Sequence, residues 1–149
     1  MSLEDDVRTL LDRQRIADNI YRYASATDDK DWDRLRSLFA DDVIASYAGH
    51  PDIEGADALV KFIAAATAHV TWGHHMMSVA HIDIDGDVAS TLTYHTSHSV
   101  CDGDPDTVIV KVARYRDVQR RQADGSWRFT RKVMEPGWNE TRHARQRHP

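Results

Sequence analysis

The first half of the chain places apolar residues at helical spacing. Apolar side chains recur every three or four positions and predict one long or slightly broken helix over about residues 4–28. A second, short helix is predicted to begin at Asp31, a residue type that caps helix N-termini, with an inner face made of Trp32, Leu35 and Phe39. Residues 43–47 favour a short strand, and a third helix is predicted over residues 56–68.

The second half alternates apolar and polar residues, as strands do. The predicted strands are residues 75–84, 88–100, 107–122 and 127–134. Asp85-Gly86-Asp87 is a strong hairpin signal, residues 101–106 predict a loop, and Asp124-Gly125 predicts another turn. Three helices followed by an antiparallel meander define an α+β fold. A curved sheet wrapped around the long helix would form a cone with one apolar pocket.

Composition narrows the class of protein. The 149 residues fit one domain, residues 1–149, with 41% hydrophobic and 29% charged residues. No apolar run approaches the roughly 20 residues of a membrane span, and the net charge of −5 argues against nucleic acid as a partner. With Cys101 as the one cysteine, a reducing cytoplasm is the expected compartment. Residues 139–149 form a basic tail, either solvated or in contact with a second subunit, that contains Arg142, Arg145 and Arg147.

Asp28 is the first candidate for chemistry. Helical spacing puts it at the end of the inward stripe formed by Ala17, Ile20 and Ala24. A carboxylate that points inward needs a partner, because an unpaired buried charge costs several kcal/mol or shifts its pKa. A histidine on a later strand would supply that partner and form an acid–base dyad. The alternative is a purely structural hydrogen bond.

Nine histidines also raise the question of a metal. His95 and His98 are three residues apart on one predicted strand and therefore point to opposite faces. The adjacent His74 and His75 fail to share an ion for the same reason. A non-adjacent set remains an alternative, and we expect neither a metal nor a cofactor.

The order of elements and several motifs resemble the SnoaL-like branch of the NTF2-like proteins, and within it the scytalone dehydratases. The resemblance covers about residues 8–138 and is densest in Asp28-Asp-Lys-Asp-Trp-Asp-Arg-Leu-Arg. It implies an NTF2-like cone-shaped barrel, with N-terminal helices packed on a curved, mainly antiparallel sheet. It also implies a catalytic set made of Asp28, Tyr47, His75 and His98.

Three further residues are expected to bind the substrate. Tyr23 precedes Asp28 by five residues, and packing in the core is its alternative role. Trp138 follows Pro136-Gly137 and would close the pocket mouth. Arg116 lies on the strand where the dehydratases hold their substrate with a serine and an asparagine.

The function implied by the resemblance is that of a small, cofactor-free lyase of the dehydratase type. Its substrate would be a carbonyl-containing, apolar or polycyclic small molecule, and the protein would be a homo-oligomer, dimer or trimer. One alternative is a polyketide cyclase or isomerase that uses the same enolate chemistry. The other is a non-catalytic module that binds a ligand or a partner, since this fold is found in enzymes and in proteins without catalytic activity.

Overall fold

The computed structural model describes residues 2–145. Its helices are α1 (Leu3–Asp28), α2 (Trp32–Ser37) and α3 (Ala56–Ala66). Its strands are β1 (Phe39–Tyr47), β2 (Ile53–Glu54), β3 (Val70–Asp85), β4 (Val88–Cys101), β5 (Asp104–Arg121) and β6 (Trp127–His143). The three predicted helices and the α+β class are confirmed, while β2 was not predicted.

The long helix α1 begins at a capping box and ends at Asp28. Ser2 accepts a hydrogen bond from the backbone of Asp5, whose side chain bonds back to the backbone of Ser2. The buried face towards the C-terminal end includes Ile16, Ile20 and Tyr23. This face packs on the sheet, so the last turn of α1 delivers Asp28 to the sheet surface.

The helix α2, which connects α1 to the sheet, is shorter than the sequence predicted. Asp31 caps α2 as expected, because its carboxylate accepts a hydrogen bond from the backbone of Arg34 at 3.0 Å. The helix ends at Ser37, and Phe39, which we had placed on its inner face, is instead the first residue of β1. Phe39 is fully buried all the same, since it packs against Tyr23 and Phe129.

The six strands form one curved, open sheet in the order β2-β1-β6-β5-β4-β3. All neighbours are antiparallel except β1 and β6, which run parallel. The expected cone is therefore not closed into a barrel. Most strands are longer than predicted, and β5 takes in half of the predicted loop 101–106.

Strand β6 continues beyond Met134, where the sequence had predicted its end, and runs through Pro136-Gly137. A Cβ on Gly137 would lie 2.7 Å from the carbonyl oxygen of Val112, so the glycine allows the two strands to stay paired through an irregularity there. Residues 139–143 of the expected tail therefore belong to β6. Arg147 lies outside the described residues.

The two faces of the sheet differ in character. Helices α1 and α3 pack on the inner face, where they enclose the main apolar core. The outer face leaves large side chains exposed, namely Trp72, Met76, Tyr94 and Trp138.

The homo-oligomer expected from the sequence stays a prediction. No helix of the described chain has both the length and the apolar character needed to cross a bilayer.

Candidate active site

A cavity of about 310 Å³ opens between α1, α3 and the inner face of the sheet. One wall is apolar and consists of Phe62, Ile63, Ala66, Ile109 and Met134. The other walls are polar and include Asp28, Tyr47, His75, His95, Ser97 and Lys111. A small molecule would thus have an apolar surface on one side and several hydrogen-bonding groups on the other.

Asp28 and His75 are joined by two hydrogen bonds at the edge of this cavity. The Asp28 Oδ1 lies 2.5 Å from His75 Nδ1, and Oδ2 accepts from the His75 backbone N–H at 2.9 Å. If the proton resides on Nδ1, this contact fixes the ring orientation and leaves Nε2 as the unprotonated nitrogen. The pair has the geometry of an oriented general base.

The neighbourhood of Asp28 favours its ionised form. Burial alone would raise the pKa of Asp28, but the side chain, backbone N–H and charge of His75 together outweigh burial and lower that pKa. Gly73 allows the close approach, because a Cβ at this position would lie 3.1 Å from Asp28 Oδ1. Helix, glycine and histidine thus hold a carboxylate at a helix C-terminus, where the helix dipole would disfavour it.

Tyrosines form the inner end of the cavity. The hydroxyls of Tyr23 and Tyr47 lie 3.1 Å apart, and the ring of Tyr115 packs edge-on against Tyr23. Burial raises the pKa of all three tyrosines well above its ordinary value. They are therefore hydrogen-bond donors at neutral pH, and Tyr23 and Tyr47 both line the cavity as expected.

The second histidine of the cavity is His95, which was not among the site residues predicted from the sequence. Its ring centroid lies 5.2 Å from that of His75, and among the described residues neither ring nitrogen has a hydrogen-bond partner. Burial lowers the pKa of His95 to about 3, with the His75 charge acting in the same direction. His95 is thus a neutral imidazole whose nitrogens are available to a bound molecule.

The prediction that His98 belongs to the catalytic set is wrong, because His98 lies on the outer face of the sheet. Its ring stacks on that of His74 with 5.8 Å between centroids, and it does not line the cavity. The strand β4 turns residues 89–97 inward at every second position, so His95 faces the cavity and His98 faces away.

Trp138 and Arg116 also lie away from the cavity. Trp138 is paired with Val112 on the outer face and is 53% exposed, so it does not close the mouth. Arg116 also points outward, where its Nε lies 2.7 Å from Glu135 Oε1. Both assignments to substrate binding are therefore wrong for this cavity, because strand alternation turns the two side chains to the other face.

Within residues 2–145, no three side chains of histidine, cysteine, aspartate or glutamate are arranged to hold an ion. The expected absence of a cofactor stays a prediction.

The buried neutral state of His95 predicts a pH dependence of stability. Since the folded-state pKa is about 3 and the ordinary value is 6.5, the unfolded chain binds a proton below pH 6.5 that the folded chain does not. We expect the free energy of unfolding to fall by roughly 2 kcal/mol between about pH 7.5 and about pH 5 from this residue. Urea unfolding across this range would measure the fall.

The same experiment on two variants isolates His95. His95→Gln should remove most of this slope, whereas His98→Gln, on the outer face, should keep it. An unchanged slope in His95→Gln would show that His95 is not the buried neutral group. Asp28 does not contribute to this slope, because a carboxylate whose folded-state pKa is lowered keeps its full stabilising effect above about pH 3.8 and loses it only as the pH falls further.

Comparison with known proteins places the chain in a family. A model of the SnoaL-like domain matches residues 8–133, and the chain belongs to this SnoaL-like family. An uncharacterised protein of Mycobacterium tuberculosis is 28% identical over 128 residues, which span 85% of this chain and 86% of the relative.

Two solved structures illustrate the fold. A candidate scytalone dehydratase of Novosphingobium aromaticivorans has a TM-score of 0.81 at 21% identity, with 95% of this chain and 94% of that chain covered. A hexachlorocyclohexane dehydrochlorinase of Novosphingobium barchaimii has a TM-score of 0.85 at 17% identity, with 97% and 99% covered. The predicted SnoaL-like, NTF2-like fold is confirmed. At these identities the similarity establishes the fold and does not establish the activity.

Proposed function

We propose that this protein is a cofactor-free lyase of the dehydratase type that acts on a carbonyl-containing small molecule. The observation that carries the proposal is the Asp28–His75 pair, at 2.5 Å, on the wall of a cavity that Tyr47 and His95 also line. The SnoaL-like family and the two structural relatives, named for loss of water and of chloride, support the same class of reaction.

In the first step, His75 removes a proton from the carbon next to the substrate carbonyl. Asp28 accepts the Nδ1–H of His75 and stabilises the imidazolium that forms when Nε2 takes this proton. The electron pair of the broken C–H bond moves into the carbonyl group and gives an enolate. Tyr47 donates its hydroxyl proton in a hydrogen bond to the enolate oxygen, while Tyr23 donates to the oxygen of Tyr47.

In the second step, the enolate re-forms the carbonyl and expels a hydroxyl group from the β-carbon. The imidazolium of His75 returns its proton to this hydroxyl, which leaves as water, so that His75 ends in its starting state. His95 replaces His98 in our scheme, because its unpartnered nitrogens line the cavity. As a neutral imidazole it donates a hydrogen bond to a substrate oxygen and transfers no proton.

Hydrogen exchange tests the first step without knowledge of the natural substrate. We expect the wild-type protein in D₂O to exchange the α-protons of apolar ketones, as followed by proton NMR, and to release water from some member of a panel of β-hydroxy ketones. Exchange with no loss of water across the panel would favour the cyclase or isomerase alternative. Binding with neither exchange nor loss of water would favour the non-catalytic module and contradict the proposal.

Tyr47→Phe should lower turnover less than removal of the base, His75, lowers it. The variant loses one donor to the enolate oxygen, which corresponds to about 10²-fold in kcat or somewhat more. The measurement is the rate of α-proton exchange on the best ketone. Tyr94→Phe, at an exposed tyrosine of the outer face, is the matched control and should not change the rate. Equal rates for Tyr47→Phe and the wild type would remove Tyr47 from the scheme.

A further inference from the structure

A row of polar side chains crosses the inner face of the sheet beside the Asp28–His75 pair. His75 is paired with Ser97 between β3 and β4, and Ser97 is paired with Lys111 between β4 and β5. Residues paired in this way point to the same face of a sheet. All three side chains line the cavity. Lys111 therefore belongs to the same wall as the base, two strands away.

Lys111 differs from the other lysines near the cavity, because no group in the described part of the chain pairs with it. The Lys30 ammonium donates to the carbonyl oxygen of Val70 at 2.8 Å, and the Lys132 ammonium lies 3.0 Å from Asp117 Oδ2. Within residues 2–145, by contrast, no ion pair or side-chain hydrogen bond involves Lys111 or Ser97. Ser97 is nevertheless buried and lines the cavity, and its hydroxyl has no hydrogen-bond partner among residues 2–145.

The charges around the cavity favour an anion. Asp28 is the single acidic residue among those described as lining it, and His75 bonds to both of its oxygens. Lys111 is an exposed residue that lines this cavity, and the cavity offers its ammonium no carboxylate. A cation in a cleft with low-dielectric walls attracts a ligand of opposite charge more strongly than a cation on an open surface does.

We propose that Lys111 and Ser97 form an anion subsite, and that the substrate is an organic acid in which a carboxylate accompanies the reacting carbonyl. The carbonyl half of this inference rests on the proposed function. The carboxylate accepts hydrogen bonds from the Lys111 ammonium and the Ser97 hydroxyl. Since neighbouring strands lie about 4.8 Å apart, Lys111 is about 10 Å from His75 along the row. One aromatic ring spans most of that separation.

Matched ligands test the subsite by binding alone. We choose para-acetylbenzoate, which carries a ketone and a carboxylate on one ring, and para-acetylbenzamide, its neutral counterpart of the same shape. Isothermal titration calorimetry at low salt should show the wild-type protein binding the acid roughly tenfold more tightly than the amide, as expected for one charge-assisted contact.

Variants test which residues cause the preference for the acid over the amide. Lys111→Met should reduce the ratio of the two affinities to about one and leave the affinity for the amide unchanged, and Ser97→Ala should reduce the ratio less. Lys61→Met removes the same charge from an exposed position of α3 and should keep the wild-type ratio. Equal wild-type affinities, no measurable binding of either ligand, or a preserved ratio in Lys111→Met would overturn the proposal.

The same ligand separates this proposal from the proposed function. The acetyl protons of para-acetylbenzoate report the base through exchange in D₂O. A preference for the acid with no exchange would support the anion subsite and contradict the lyase. Exchange with no preference for the acid would support the base and contradict the subsite.

Discussion

Asp28→Asn should lower turnover by about 10²–10⁴-fold, the range expected when assisted general acid–base catalysis is lost. The variant keeps the size of the side chain and its position at the end of α1, so the fold should remain intact. The measurements are kcat for the best β-hydroxy ketone and the rate of α-proton exchange. Circular dichroism and urea unfolding verify that the loss does not come from unfolding.

The physical reason lies in the two hydrogen bonds that His75 makes to this carboxylate. The Asp28 oxygens accept both the ring Nδ1–H and the backbone N–H of His75. An asparagine has one oxygen and one NH₂ group. If its NH₂ faces the ring, Nδ1 must accept a hydrogen bond and the proton moves to Nε2, which then cannot act as a base. If its NH₂ faces the backbone, two donors meet and the contact is lost.

Controls separate the dyad from a general effect of charge. Asp29→Asn changes the net charge equally at the adjacent, exposed position and should leave turnover unchanged. His75→Ala should cost as much as Asp28→Asn or more, and the double variant should cost little beyond the worse single variant, because the two residues act as one unit. Full activity in Asp28→Asn, or strictly additive losses in the double variant, would contradict the dyad.

Local signals in the sequence were enough to predict the helical part of the fold. Apolar residues at helical spacing set the inward face of α1, and the position of Asp28 at its end followed from that spacing. Asp31 was predicted to cap α2 because its carboxylate can accept a hydrogen bond from the first turn of the helix, and the structure contains this hydrogen bond. Phe39 was assigned to the wrong element because a buried aromatic fits a helix face and a strand end equally well.

The resemblance pointed to His98, and the sequence alone could not correct this choice to His95, because the register of the sheet could not be predicted. The turn pairs Asp85 with Val88, and an unbroken register from there would pair His75 with His98 on the outer face. An irregularity between Val79 and His81 shifts the pairing by one residue, so that His75 turns to the inner face opposite Ser97. No turn residue or change of period marks this shift in the sequence.

Hydrophobicity would not have identified the inward face of β4 either. The outward positions carry the larger apolar residues, such as Leu92 and Tyr94, whereas the inward positions carry smaller or polar ones, such as Ala89 and Thr93. An alternation rule that turns the more apolar face inward would therefore choose the wrong side. The small inward residue Ala89 lies in one buried cluster with Ile16 of α1, and further along β4 the cavity lies over His95 and Ser97.

A buried ion pair beneath the tyrosines carries the largest expected effect on stability. Lys132 is 1% exposed and lies 3.0 Å from Asp117 Oδ2. Its ammonium also lies 3.9 and 4.0 Å from the ring centroids of Tyr23 and Tyr115. Burial lowers the pKa of Lys132 and raises that of Asp117, so each charge depends on the other for its stability in the core.

Lys132→Met should therefore lower the free energy of unfolding by about 3–5 kcal/mol, because it leaves the Asp117 carboxylate buried without its counter-charge. Urea unfolding near neutral pH measures this loss. The double variant Lys132→Met/Asp117→Asn removes both charges and keeps an acceptor for the backbone N–H of Val133. It should recover at least about half of the loss. Lys61→Met, at an exposed lysine, should stay within about 0.5 kcal/mol of the wild type.

The dependence on pH distinguishes an unpaired charge from a simple packing defect in Lys132→Met. Without Lys132, the pKa of Asp117 in the folded state rises further above the ordinary 3.8. A carboxyl group with a raised folded-state pKa is protonated in the fold before it is protonated in the unfolded chain, so it destabilises the fold as the pH rises through that pKa. The gap in stability between Lys132→Met and the double variant should accordingly shrink as the pH is lowered from about 7 towards about 5. A packing defect shared by both variants would cancel in this comparison, so a gap that does not change with pH would contradict a buried unpaired Asp117.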